Sequence, residues 1–110
     1  MKKFRLLAKD DDETISIDLM VSDWMDTKDV LYNIKKASEE FLSTDEGKEA
    51  YKVNGLFDYA SFDLYVPDEI CKKYGIEKVS EPDYTAVVDN ELLADPEEME
   101  ALLEQSEEER

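Results

Sequence analysis

The chain of 110 residues has no histidine, one cysteine, three glycines and three prolines. Without histidine there is no imidazole to act as a base, bind a metal or switch charge near neutral pH. The single Cys71 excludes an internal disulfide and a cysteine-based zinc site. Gly47, Gly55 and Gly75 lie too far apart for a glycine-rich phosphate loop. No run approaches the roughly 18–20 apolar residues that span a bilayer. Leu6, Leu7 and Ala8 are too few for the apolar part of a signal peptide, and Asp10, Asp11 and Asp12 follow at once. A free thiol suits a reducing compartment, so a soluble cytoplasmic protein is expected.

What the chain has in quantity is acid. Thirty Asp and Glu oppose thirteen Lys and Arg, a net charge of −17, while 42% hydrophobic and 10% aromatic residues supply one modest core. The charge is unevenly spread. Residues 1–80 hold 18 acids and 12 bases, a net of −6; residues 81–110 hold 12 acids and only Arg110, a net of −11. Lys2, Lys3, Arg5 and Lys9 open the chain with no acid among them.

Periodicity predicts an α+β fold in a single small domain, residues 1–110. Phe4, Leu6 and Ala8 alternate weakly, and Ile15, Ile17, Leu19 and Val21 alternate cleanly, so the first part reads as a hairpin joined through Asp10–Glu13. A main helix is expected over about Lys28–Leu42, capped by Thr27, with Val30, Leu31, Ile34, Ala37, Ser38, Phe41 and Leu42 on its apolar face. Thr44 opens a second helix that Asn54-Gly55 ends. Phe57–Val66 reads as a third strand with Ala60, Phe62, Leu64 and Val66 on one face. A short helix from Asp68 to Tyr74 follows Pro67, and Tyr84–Val88 reads as a last strand after a turn at Glu81-Pro82-Asp83. Asp95 caps a final acidic helix over residues 96–110, frayed from Ser106. The expected architecture is a small, mostly antiparallel sheet of about four strands with the main helix packed on it. Ile17, Leu19, Ile34, Phe41, Phe62 and Leu64 are expected to face inward.

Few residues suggest chemistry. Asp10, Asp11, Asp12 and Glu13 lack the glycine and the distant glutamate of a calcium loop and read as a solvated turn. Asp58 and Asp63 are the only acids set in apolar sequence, yet strand alternation would point both to water. Cys71 beside Lys72 and Lys73 reads as a small buried hydrophobe, since adjacent helical residues do not face each other. Trp24 and Met25 read first as core or as a staple for the main helix, and second as a partner anchor. No catalytic residue, cofactor or metal is expected, and the protein is read as a non-enzyme.

The final helix carries the functional reading. Met99, Leu102, Leu103 and Ser106 make a narrow stripe that can dock on the domain. Glu97, Glu100, Glu104 and Glu108 form a row with carboxylates roughly 4.5–6 Å apart along the axis. Phosphates on one DNA strand rise about 3.4 Å each. Backed by Asp83, Asp89, Glu91 and Asp95, the row is comparable in linear charge to a nucleic-acid strand. Nucleic acid and anionic membrane are excluded as partners by repulsion. A protein with a basic nucleic-acid groove is the natural target.

In size, charge and mixed pattern the chain resembles the small acidic inhibitors of phages and other mobile elements, the anti-restriction and anti-CRISPR proteins of the DNA-mimic type. The resemblance is compositional, strongest over Glu81–Glu109, and rests on no motif. It implies an inhibitor of a DNA-binding enzyme such as a CRISPR nuclease. The expected contacts are Glu97, Glu100, Glu104, Glu108, Asp89, Glu91 and Asp95, with Trp24 and Tyr65 adding short-range specificity. The alternative is a small adaptor or antitoxin-like module that binds one protein by strand addition or helix docking, with acidity serving solubility.

Overall fold

Alternating apolar and polar side chains build two strands, β1 (Lys2–Lys9) and β2 (Thr14–Val21), paired antiparallel. Phe4 lies opposite Leu19 and Leu6 opposite Ile17, which puts the apolar set on one face. Arg5 faces Asp18 on the other, where its Nε and Nη2 donate to the two carboxylate oxygens at 2.8 and 3.1 Å. The computed structural model describes residues 1–9, 13–79, 84–89, 93, 97 and 101.

The sheet has four strands in the order β3-β2-β1-β4. β3 (Ile76–Lys78) pairs antiparallel with β2, and β4 (Tyr84–Asp89) pairs parallel with β1. The sheet is therefore mixed and not mostly antiparallel. Parallel pairing needs a long crossover, and the helical segment between β2 and β4 provides it. β3 escapes the sequence reading because it spans three residues, two of them Glu77 and Lys78.

Between β2 and β3 run α1 (Thr27–Leu42), α2 (Asp45–Asn54), α3 (Tyr59–Tyr65) and α4 (Asp68–Lys73). Asp26, not Thr27, caps α1: its Oδ1 accepts from the Asp29 amide at 3.0 Å, and Asp29 Oδ2 accepts from the Asp26 amide at 3.2 Å. α1 buries Val30, Ile34, Ala37, Ser38, Phe41 and Leu42, as its spacing demands, and the buried Ser38 hydroxyl donates to the Ile34 carbonyl at 2.9 Å. α2 starts on a Thr44 cap and packs so close to the end of α1 that a Cβ on Gly47 would clash with the Phe41 carbonyl. It ends at Gly55, whose φ of 76° is the left-handed cap that glycine adopts without strain. α4 is tied to α1 through Glu40, which accepts from the Tyr74 hydroxyl at 3.1 Å and pairs with Lys73 at 3.2 Å.

The expected strand at Phe57–Val66 is instead a turn followed by α3. The Asp58 carboxylate accepts from the Ser61 amide at 3.0 Å and caps the helix start. At the other end Lys78 Nζ donates to the carbonyls of Asp63 at 2.7 Å, Val66 at 3.0 Å and Phe62 at 3.4 Å. Helical spacing buries Tyr59, Phe62 and Val66 and turns Leu64 outward, 74% exposed, against the expectation that it faces the core.

One core fills the space between sheet and helices. Phe4, Leu6, Ile17, Leu19 and Val21 meet Ile34, Phe41, Phe57, Tyr59, Phe62 and Ile76 there, with the Phe41 and Phe57 rings 6.1 Å apart. Asp10–Asp12, the turn at residues 81–83, the Asp95 cap and most of the acidic helix over 96–110 lie outside the described residues. Glu97 and Ala101 are helical and exposed. Ile34→Ala or Phe41→Ala is expected to cost about 2–5 kcal/mol in urea unfolding. Leu64→Ser is expected to stay within about 0.5 kcal/mol of the parent. A Leu64 substitution as costly as that of Ile34 would contradict the orientation of α3.

Candidate protein-binding surface

The residues singled out in the sequence do not gather at one place. Glu97 is exposed on a helical turn, whereas Glu91, Asp95, Glu100, Glu104 and Glu108 lie outside the described residues. Asp89 closes β4 in register with Lys9 of β1. Trp24 is 70% exposed in the turn between β2 and α1 and belongs neither to the core nor to a staple. Met25 takes the staple position instead: it lies one residue before the Asp26 cap, and it and Val30 are both buried. Tyr65, at the end of α3, is half-buried against the core.

The acids in apolar sequence have structural roles or none. Asp58 is the α3 cap, and Asp63 is exposed. Cys71 is fully buried, and burial raises its thiol pKa, which outweighs the opposing charge of Lys78. Among the described residues no group of three His, Cys, Asp or Glu is placed to hold a metal. No helix among them is long and apolar enough to cross a membrane.

Among the described residues, a cleft of about 320 Å³ lies at the junction of α2 and α3. Asn54, Leu56, Asp58, Ala60, Leu64 and Tyr65 line it, with Ser61 below. Its construction is local. Gly55 turns the chain after α2, the buried Phe57 anchors the turn, and Asp58 starts a helix whose outward positions are Ala60 and Leu64. Val53, in the last turn of α2, is also exposed, so three of the seven large exposed apolar side chains among the described residues lie between residues 53 and 64. This surface is hidden in the sequence because Phe57–Val66 also fits strand alternation. The available signal was Asp58 three residues before Ser61, with Leu56, Ala60 and Leu64 at intervals of four.

Leu93 connects this region to the acidic end of the chain. Its amide donates to the Phe57 carbonyl at 2.9 Å, and its side chain is buried. The residues either side of Phe57, Leu56 and Asp58, line the cleft. From Leu93 to residue 110 the sequence carries eight acids and one base.

On the far side of the sheet, Leu7 and Met20 are half-buried and Val87 is exposed, with Lys3, Lys9 and the Arg5–Asp18 pair among them. The hydrogen bonds to Asp18 hold the Arg5 guanidinium pKa above its usual value. Three bases thus lie on one face of β1 in a strongly acidic chain.

The capping amide of Asp29 holds the Asp26 carboxyl pKa below its usual value. A group depressed in the folded state adds stability above its unfolded pKa, and that stability is lost as pH falls through the folded value. Asp26→Ala is therefore expected to lower Tm at pH 7, with the difference from the parent narrowing below about pH 4. A difference that stays constant from neutral to acid pH would contradict the cap. Cys71 is expected to resist alkylation at pH 8 until urea unfolds the chain, as read by intact mass.

Comparison with protein-family models, with curated proteins and with solved structures finds no match for this chain.

Proposed function

We propose that the protein is a non-catalytic acidic inhibitor that occupies the nucleic-acid groove of a basic enzyme, such as an RNA-guided nuclease. The observation that supports this reading is the segregation of charge: −6 over residues 1–80 and −11 over residues 81–110. Solubility alone needs no such concentration of charge. The carboxylate row expected from the spacing of Glu97, Glu100, Glu104 and Glu108 would offer lysine and arginine a linear charge comparable to that of a nucleic-acid strand. Long-range attraction then speeds encounter, and apolar contacts near Tyr65 or Trp24 select the partner.

The exposed apolar cleft favours a second reading, a small adaptor or antitoxin-like module in which acidity serves only solubility. The two separate on charge removal. Glutamine at Glu97, Glu100, Glu104 and Glu108 keeps helix propensity and size nearly constant. In competition with DNA for an RNA-guided nuclease at low salt, this variant is expected to inhibit far less, chiefly through a slower association rate. The deficit shrinks as salt shortens the screening length from about 10 Å at 0.1 M to about 3 Å at 1 M. Equal inhibition by parent and variant, with an equal on-rate, would favour the adaptor.

A further inference from the structure

We infer that the free edge of β4 is a strand-addition site, which takes an extended, uncharged segment of a partner protein as a fifth strand of the sheet. The inference stands apart from the charge-based function proposed above. β4 ends the strand order and is hydrogen-bonded to β1 on one side. Every second residue of a strand turns its amide and carbonyl to the same side. Three of the six residues of β4 therefore present both groups to the side away from β1. Among the described residues no hydrogen bond reaches them there. Such a row is a template that another extended main chain matches group for group.

The two edges of the sheet are built differently. β3, at the other edge, has three residues, two of them charged, and packs against α4. Its Lys78 is already engaged with the end of α3. Short length and charge are what protect an edge from pairing. β4 has neither protection. It runs for six residues without proline or glycine, and Tyr84-Thr85-Ala86-Val87-Val88 is uncharged and rich in β-branched side chains.

The side chains of β4 set what the added strand carries. Thr85 and Val87 lie on the open face of the sheet, Val87 57% exposed, while Ala86 and the half-buried Val88 face the core. An added strand with β-branched side chains covers Val87 on one face and extends the core past Val88 on the other. A charged side chain beside Val88 would lose its hydration without gaining a partner. A second copy is disfavoured as the occupant, because two chains of −17 repel each other.

The test uses the full chain, labelled with 15N, and a synthetic peptide of alternating valine and threonine closed by lysines. N-methyl groups along one edge keep the peptide from pairing with itself and leave its other edge free. The control has the same sequence and charge, with N-methyl groups along both edges. The one-edge peptide is expected to bind about tenfold or more tighter than the control. At saturation it is expected to slow amide exchange about tenfold or more at alternate residues of Tyr84–Asp89. The residues between them, already bonded to β1, are expected to stay unchanged.

Equal affinity for the two peptides overturns the assignment, as does slowed exchange that falls outside β4 or shows no alternation within it. In the free chain, equally slow exchange throughout β4 would show that the chain itself covers the edge. Without peptide, slowing at β4 that grows with protein concentration, with a doubled mass in sedimentation, would name a second copy as occupant. Either result overturns the inference. The charge reading is judged separately, by the DNA competition, so the two can fail independently.

Discussion

Three hydrogen bonds from one ammonium group tie the end of α3 to the sheet edge. Lys78 Nζ, on β3, donates to the carbonyls of Phe62, Asp63 and Val66 at the end of α3 and lies 5.5 Å from the centre of the Phe62 ring. α3 has only seven residues and no base in its own last turn. Helices this short are unstable alone, because nucleation costs more than a few bonds return. Asp58 satisfies the amide end, and Lys78 satisfies the carbonyl end with a full positive charge. Once α3 is fixed as a helix, Phe62 enters the core, Ala60 and Leu64 turn to solvent, and the cleft exists.

The rest of the architecture follows from a sheet that is apolar on one side. β1 and β2 present Phe4, Leu6, Ile17 and Leu19 to the helices and Arg5 and Asp18 to solvent. The core is thus built almost wholly from neutral side chains, while residues 81–110 carry −11 of the chain's −17.

Where one period governed a segment, the sequence was readable. The four-residue alternation in β2 and the i, i+3, i+4 stripe of α1 left one solution each, and Ile17, Leu19, Ile34 and Phe41 are buried as their phase required. Gly55 and Thr44 marked the ends of α2 for reasons of local chemistry. Phe57–Val66 was not readable in the same way. Ala60, Phe62, Leu64 and Val66 satisfy strand alternation, while Tyr59, Phe62 and Val66 satisfy a helical face, and the deciding contact comes from Lys78, twelve residues beyond Val66. The parallel pairing of β4 with β1 joins residues some eighty apart and leaves no trace in either strand. The cleft was missed for the same reason as α3, since its floor is apolar only when that segment is helical. The acidic row was legible as charge, and of its four glutamates Glu97 is the one among the described residues.

The dependence of α3 on Lys78 is the point on which the cleft stands or falls. Amide hydrogen exchange on Lys78→Met, which keeps the length and loses the charge, measures it directly. Loss of charge-assisted hydrogen bonds worth about 1–2 kcal/mol should speed exchange at Phe62 and Val66 by roughly tenfold. It should also shift the amides of Ala60 and Leu64, while the β1–β2 pairing remains. Exchange at Phe62 and Val66 as slow as in the parent would show that α3 is held by something other than Lys78.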